Sequence, residues 1–283
     1  MRLLSIAAIG VSTLALSGCS FFNGMWGQSG HHGANNYNGG AYAASNCGNS
    51  CVGGKQISRL NFEAGAGYDF ITGGEAITGS NVAPFPGQNI NDIDMKDAYE
   101  DAFNVFAGGS YMLNPDRKLT GQYTYSTAKG QTNDLGRETG RLTNTNAKLS
   151  RYESHGLDLG VRQYFRPKYL GSTNFRYRPY VEGKIGATYV DDIKLITVEQ
   201  GNPASSRTVD FYDSGWVPTA AGMVGIETPL FNRTTIGLET GIRYTGKMDD
   251  AQNLQAQAPN LAGANDGGER WTVPVAIRGR YRF

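Results

Sequence analysis

The chain closes on VPVAIRGRYRF, and no other segment constrains its fold as tightly. Val273, Val275, Ile277, Gly279, Tyr281 and Phe283 share one parity; Pro274, Ala276, Arg278, Arg280 and Arg282 share the other. Successive side chains point to opposite faces in an extended strand, so this one has an oily face and a basic face. Seven more segments alternate in the same way, over residues 60–70, 102–112, 119–127, 155–165, 179–190, 216–228 and 234–244. The sixth is the least regular. Their polar parity carries Glu63, Asp69, Asp158, Glu182, Glu227 and Glu239, matched in number by Arg162, Lys184, Arg243, Arg278, Arg280 and Arg282.

Alternation alone does not say which face lies inside. A soluble lipocalin-like barrel would have an apolar cavity and a polar exterior. Two features favour the inverse. Gly65, Gly67, Gly160, Gly186, Gly237 and Gly241 lie on the polar parity. Glycine weakens a strand, and a water-facing surface has no use for it; a narrow lumen, where large and small side chains must interdigitate, does. The charges are also balanced, as a confined ion-pair network requires. Facing lipid, each arginine near the midplane would cost about 2–4 kcal/mol. A one-residue slip would turn every charge outward, so the register is pinned. The spacing therefore predicts an all-β chain, an eight-stranded antiparallel up-and-down transmembrane β-barrel over 59–283. Tyr68, Phe70, Tyr111, Tyr125, Tyr189, Tyr244, Tyr281 and Phe283 sit near segment ends on the oily parity, as interfacial girdles do. Long and short connections strictly alternate, which puts residue 58 and residue 283 at the short-turn, periplasmic end and the long loops outside. Pro179, Pro218 and Pro274 fall inside the segments, where bulges or later strand starts are expected.

The N-terminus is of another kind. Arg2 precedes an apolar run from Leu3 to Leu16, the pattern of a secretory leader. Leu16-Ser17-Gly18-Cys19 resembles the bacterial lipobox, which implies a leader over 1–18 and a lipidated Cys19; the alternative is an ordinary leader with an incidental cysteine. Ser20 follows where an aspartate would favour inner-membrane retention, so the resemblance implies the outer membrane. Residues 19–58 are rich in Gly, Asn, Ser and Ala and read as a disordered, lipidated tether. Cys47 and Cys51 suit a small disulfide loop in an oxidising compartment; unpaired thiols and a metal site are the alternatives. His31 and His32, adjacent in this tether, read as solvated rather than metal-binding. The net charge of +1 excludes nucleic acid as a partner recognised by charge.

Over 59–283 the chain resembles the eight-stranded transmembrane domain of the outer membrane protein A superfamily. It is particularly similar to the opacity-like surface antigens of alphaproteobacteria. FEAGAGYDF, GLDLGVRQYF, YVEGKIGATYV, TIGLETGIRY and the closing YRF carry the resemblance. It implies outer-membrane lipids and lipopolysaccharide as surroundings. It also implies that Tyr281 and Phe283 form the C-terminal signal read by the barrel-insertion machinery. The family's periplasmic wall-binding domain has no counterpart here, so wall anchoring is not expected. Lipid-active barrel enzymes use His, Ser and Glu facing lipid. Here His155, Ser154 and Glu153 are consecutive, so Ser154 and His155 face opposite ways and form no dyad. Asp191-Asp192, Asp249-Asp250 and the run NDIDMKDAYED are either solvated loop acids or sites for cations bridging to lipopolysaccharide. No cofactor, catalytic residue or metal ligand is expected. The sequence reads as a non-enzymatic outer-membrane lipoprotein with a structural or surface-interaction role, touching a periplasmic or extracellular protein partner. A narrow channel is the second reading and a lipid-modifying enzyme the third.

Overall fold

The computed structural model describes residues 59–82, 88–138, 143–171 and 175–283. Cys19, Cys47 and Cys51, with the leader and tether, lie outside them. Eight long strands follow one another: β1 (Leu60–Gly73), β2 (Ala102–Asn114), β3 (Arg117–Ala128), β4 (Tyr152–Tyr164), β5 (Arg176–Val190), β6 (Gly215–Phe231), β7 (Thr234–Thr245) and β8 (Arg270–Arg282). Each pairs antiparallel with the next, and β8 pairs with β1, which closes the ring. The closing seam sets Glu63 opposite Arg280 and Gly65 opposite Arg278. Every predicted segment is a strand, and every strand keeps the predicted parity. Several run further than the alternation suggested: β4 starts at Tyr152 and β8 at Arg270.

The prolines correct an expectation. The register shifts fall at Ile71/Gly73, Met112/Asn114 and Pro229/Phe231, near strand ends, and none falls at Pro179, Pro218 or Pro274. Each of the three is accommodated on its neighbour's side. Pro179 faces Phe165, one residue past the end of β4. It accepts the Phe165 N–H at 2.9 Å, and the Phe165 carbonyl, deprived of a donor, accepts Arg178 Nε at 3.2 Å. Pro218 faces Gly246, one residue past the end of β7, and accepts its N–H at 2.9 Å. Pro274 sits where the β7–β8 ladder passes from Thr240↔Val275 to Arg243↔Thr272 without the intervening pairs. The missing donor thus costs ladder bonds without changing register.

The four long connections, expected from the sequence as external loops, carry strands and short helices of their own. They fold into a cap at one end of the barrel. A six-stranded sheet runs in the order Asp249–Asp250, Arg207–Asp213, Ile193–Glu199, Thr145–Leu149, Thr132–Arg137, Asn89–Ile90. Glu75–Ile77 pairs separately with Ile93–Asp94, which leads into a short helix, Met95–Ala98. Ile77, Met95, Tyr99, Leu135, Leu149, Ile193, Leu195, Phe211, Tyr212 and Leu254 are fully buried there. The apolar core of the described residues therefore sits in the cap, not in the barrel. The acidic run NDIDMKDAYED is part of it: Met95, Ala98 and Tyr99 point in while Lys96 and Asp97 stay exposed.

Candidate functional site

The barrel interior is built around Arg162 on β4, which has no exposed surface. Its Nη2 donates to Glu63 on β1 at 3.0 Å and to Glu182 on β5 at 2.9 Å; its Nη1 donates to Glu227 on β6 at 3.1 Å. The guanidinium also lies 4.7 Å from the centre of the Tyr180 ring. One cation thus bridges carboxylates from three other strands. Each carboxylate has further donors: Ser110 reaches Glu63 at 2.6 Å, Thr120 reaches Glu182 at 2.6 Å, and Tyr164 reaches Glu227 at 2.9 Å.

Arg278 on β8 is a second hub. It donates to Glu239 at 2.7 and 2.9 Å, to Glu63 at 2.9 Å and to Gln122 at 3.1 Å, and it stacks 4.4 Å from the Phe106 ring. Gly65 makes room for that ring, since a Cβ there would overlap Phe106. Lys184 lies 3.8 Å from Glu182 and 4.0 Å from Glu239 and donates to Gln122 at 3.1 Å. Arg280 pairs with Glu227 and donates to Tyr164 at 2.7 Å. Nearer the cap, Arg243 donates to Asp69 at 2.9 Å, which also accepts from Asn104 at 2.9 Å.

Two of the residues read from the alternation stand apart. Asp158 makes no ion pair among the described residues and accepts instead from Thr219 at 3.0 Å. Arg282 is half-buried at the turn end and likewise has no ion pair among them. Conversely, Lys118, Tyr164, Tyr180 and Gln122 belong to the lumen as partners. Lys118 is buried 4.9 Å from the Tyr164 ring. It shares the parity of Thr120 and Gln122 and escaped notice because the third segment was started one residue late.

The lumen is filled. Beneath the cap a cavity of about 20 Å³ remains, lined by hydroxyls of Thr124, Ser126, Ser154 and Thr219 and by Arg243 and Arg270. That is about the room of one water. Arg270 lies 4.0 Å over the Tyr152 ring, and its Nε and Nη1 have no hydrogen-bond partner among the described residues. On the outer face polarity is reversed. Leu159 is 65% exposed, Ile185 71% and Ile277 57%, while Arg162, Glu182 and Arg278 are buried behind them. Charges inside and oil outside is the arrangement lipid demands and water forbids. The fold is an eight-stranded outer-membrane-type β-barrel.

Ser154 and His155 face opposite sides of the wall and form no dyad. Ser154 points into the lumen, and His155 lies on the outer side, where its Nδ1 is 2.6 Å from the Tyr123 hydroxyl. Tyr125 donates to Glu153 at 3.3 Å. No group of three or more metal-ligating side chains occurs among the described residues. In the cap, Asp249 and Asp250 pair as a short strand with Asp213 and Tyr212. Lys247 lies 3.6 Å from Asp250 and 2.5 Å from Asp266. The Asp266 hydrogen bond raises the Lys247 pKa, and burial raises that of Asp191 at the barrel rim.

No protein-family model and no curated protein match the chain. Among solved structures, it is similar to Neisserial surface protein A, at 11% identity and a TM-score of 0.42, over 81% of this chain and 100% of that one. It is similar to the attachment invasion locus protein of Yersinia pestis at 13% identity and 0.34, over 81% and 100%. The N-terminal β-barrel domain of Pseudomonas aeruginosa OprF matches at 10% identity and 0.30, over 80% and 100%. These are likenesses of strand layout alone.

Proposed function

We propose that this barrel is a non-enzymatic outer-membrane protein whose role is structural or lies in contacts made by its cap. The observation that carries the reading is Arg162, fully buried and bound to Glu63, Glu182 and Glu227. A lumen cross-linked in this way has no room for a solute, and ion translocation would have to break several buried pairs at once. Breaking a buried pair costs about 3–5 kcal/mol, so the network supports a plug rather than a path. The cap supports surface presentation: it has its own apolar core and holds a defined shape beyond the lipid. In this reading Cys19 carries a lipid, residues 19–58 tether it to the turn end, and Cys47 and Cys51 form a disulfide in the tether. Tyr281 and Phe283 serve the insertion machinery. The lumen pairs are scaffold rather than active site.

The test uses the purified full chain in detergent and in planar bilayers. The unboiled protein is expected to run faster on a gel than the boiled one, and the reconstituted protein to show no unitary conductance. A defined conductance that rises in Arg162→Ala or Arg278→Ala would overturn the plug and establish a channel. Turnover of labelled lipid A that disappears in His155→Ala would overturn the non-enzymatic reading.

A further inference from the structure

The two ends of the barrel differ in their balance of charge: carboxylates are plentiful in the cap and nearly absent from the turns. In the cap, cations share the surface with many carboxylates: Lys96 lies 2.7 Å from Asp94, Lys194 3.9 Å from Asp210 and Lys247 2.5 Å from Asp266. Although Lys129, Arg137, Lys148 and Arg207 have no ion pair among the described residues, Asp92, Asp97, Asp192, Asp213 and Asp249 are exposed as well. At the turn end Arg59, Arg117, Arg166, Lys168 and Arg233 are exposed, and none has an ion pair among the described residues. Asp116 is the one carboxylate side chain of the turns among them, and Arg178 already occupies it. Interleaved with these cations are exposed apolar side chains: Phe165, Tyr169 (63%), Leu170 (60%), Phe231 (71%) and Phe283. The β4–β5 connection concentrates both kinds. Lys168 and Tyr169 pair with Tyr177 and Arg176, which extends the ribbon beyond the last β4–β5 pair, Tyr164↔Tyr180.

We infer that this rim is a docking surface for anionic phospholipid headgroups of the leaflet at the turn end. The inference rests on the reading of the barrel as lipid-embedded. Unmatched cations alone would suit any polyanion. Cations alternating with exposed aromatic and aliphatic groups suit a headgroup boundary, where rings and stems enter the acyl region and charges meet phosphates. A hydrated polysaccharide would leave those apolar groups in water. Phe165, Tyr169 and Leu170 anchor the extended ribbon at the interface, and Arg166 and Lys168 hold the phosphates. The cap end, where exposed carboxylates such as Asp97, Asp192, Asp213 and Asp249 offset its cations, has no such preference.

The test is lipid selectivity of the full chain reconstituted in phosphatidylcholine vesicles with about a quarter phosphatidylglycerol. Spin-labelled phosphatidylglycerol and phosphatidylcholine report, by electron paramagnetic resonance, which lipid the barrel immobilises. Wild type is expected to prefer the anionic lipid severalfold. The preference should fall roughly fivefold in R166Q/K168Q/R233Q, and not in the cap variant K148Q/K194Q. It should also weaken in the wild type between about 0.1 M and about 1 M salt, as the screening length drops from about 10 Å to about 3 Å. A preference that survives both the rim variant and high salt overturns the inference, as does equal immobilisation of the two lipids by a properly inserted wild type. Failure to insert into pure phosphatidylcholine, read by the gel-mobility shift, would instead overturn the membrane reading beneath it.

Discussion

Arg162 shows what a single residue does in this lumen. A guanidinium without solvent must have every charge interaction supplied by protein, and Glu63, Glu182 and Glu227 supply them from three strands. Arg162→Met should therefore destabilise the barrel by about 3–5 kcal/mol, because three carboxylates lose their common partner. Urea unfolding in detergent micelles measures it. Adding Glu182→Gln to Arg162→Met should recover part of the loss; no recovery would mean that packing around Tyr180, rather than charge, was lost. Asp191, at the cap edge, behaves in the opposite sense. Burial raises its pKa, so the folded state holds the proton more tightly than the unfolded chain. Its contribution to stability is full below the usual aspartate value and is lost as pH rises through the raised one. Asp191→Asn is expected to flatten that part of the pH dependence and to leave stability at neutral pH unchanged or slightly higher, as followed by chemical denaturation across pH 3–7.

At the scale of the element, alternation decides which substitutions a strand tolerates. Gly65 and Ala66 are neighbours on β1, one turned toward Phe106 in the lumen and the other toward lipid. Gly65→Leu must displace the Phe106 ring and the Arg278 guanidinium stacked on it, so the fast-migrating folded form should be lost or strongly reduced. Ala66→Leu should fold as wild type does. Gly225 on β6 repeats the case, since a Cβ there would overlap the Tyr180 ring. The three strand prolines show that an element also depends on its neighbours. Pro179 and Pro218 are harmless because the adjoining strands stop one residue short, a fact about pairing that no property of their own segments records.

For the whole molecule the division is between a barrel held by charges and a cap held by apolar packing. Leu195 is fully buried in the cap sheet. Leu195→Ala should cost about 2–5 kcal/mol there and open the long connections to protease, while the barrel keeps its mobility shift. Loss of both together would mean that cap and barrel unfold as one unit. Legibility in sequence followed the same division. The eight strands, their faces and most of the buried charges could be read because face assignment has period two and needs only nearby residues. The strongest cue was the last strand, where Arg278, Arg280 and Arg282 cannot face lipid. The cap could not be read, because its strands are five to seven residues long or shorter, as in Thr145–Leu149 and Ile193–Glu199, and its apolar residues are spread over four connections. What the sequence determines by itself is the alternation, and with it the inside and outside of a barrel. Which acid meets which base, why Asp158 and Arg282 are left out, and that Ile77, Leu135, Leu195 and Phe211 share one core were decided only by tertiary structure. Those contacts join residues from separate strands and connections, and their partners are set by ring closure rather than by local pattern.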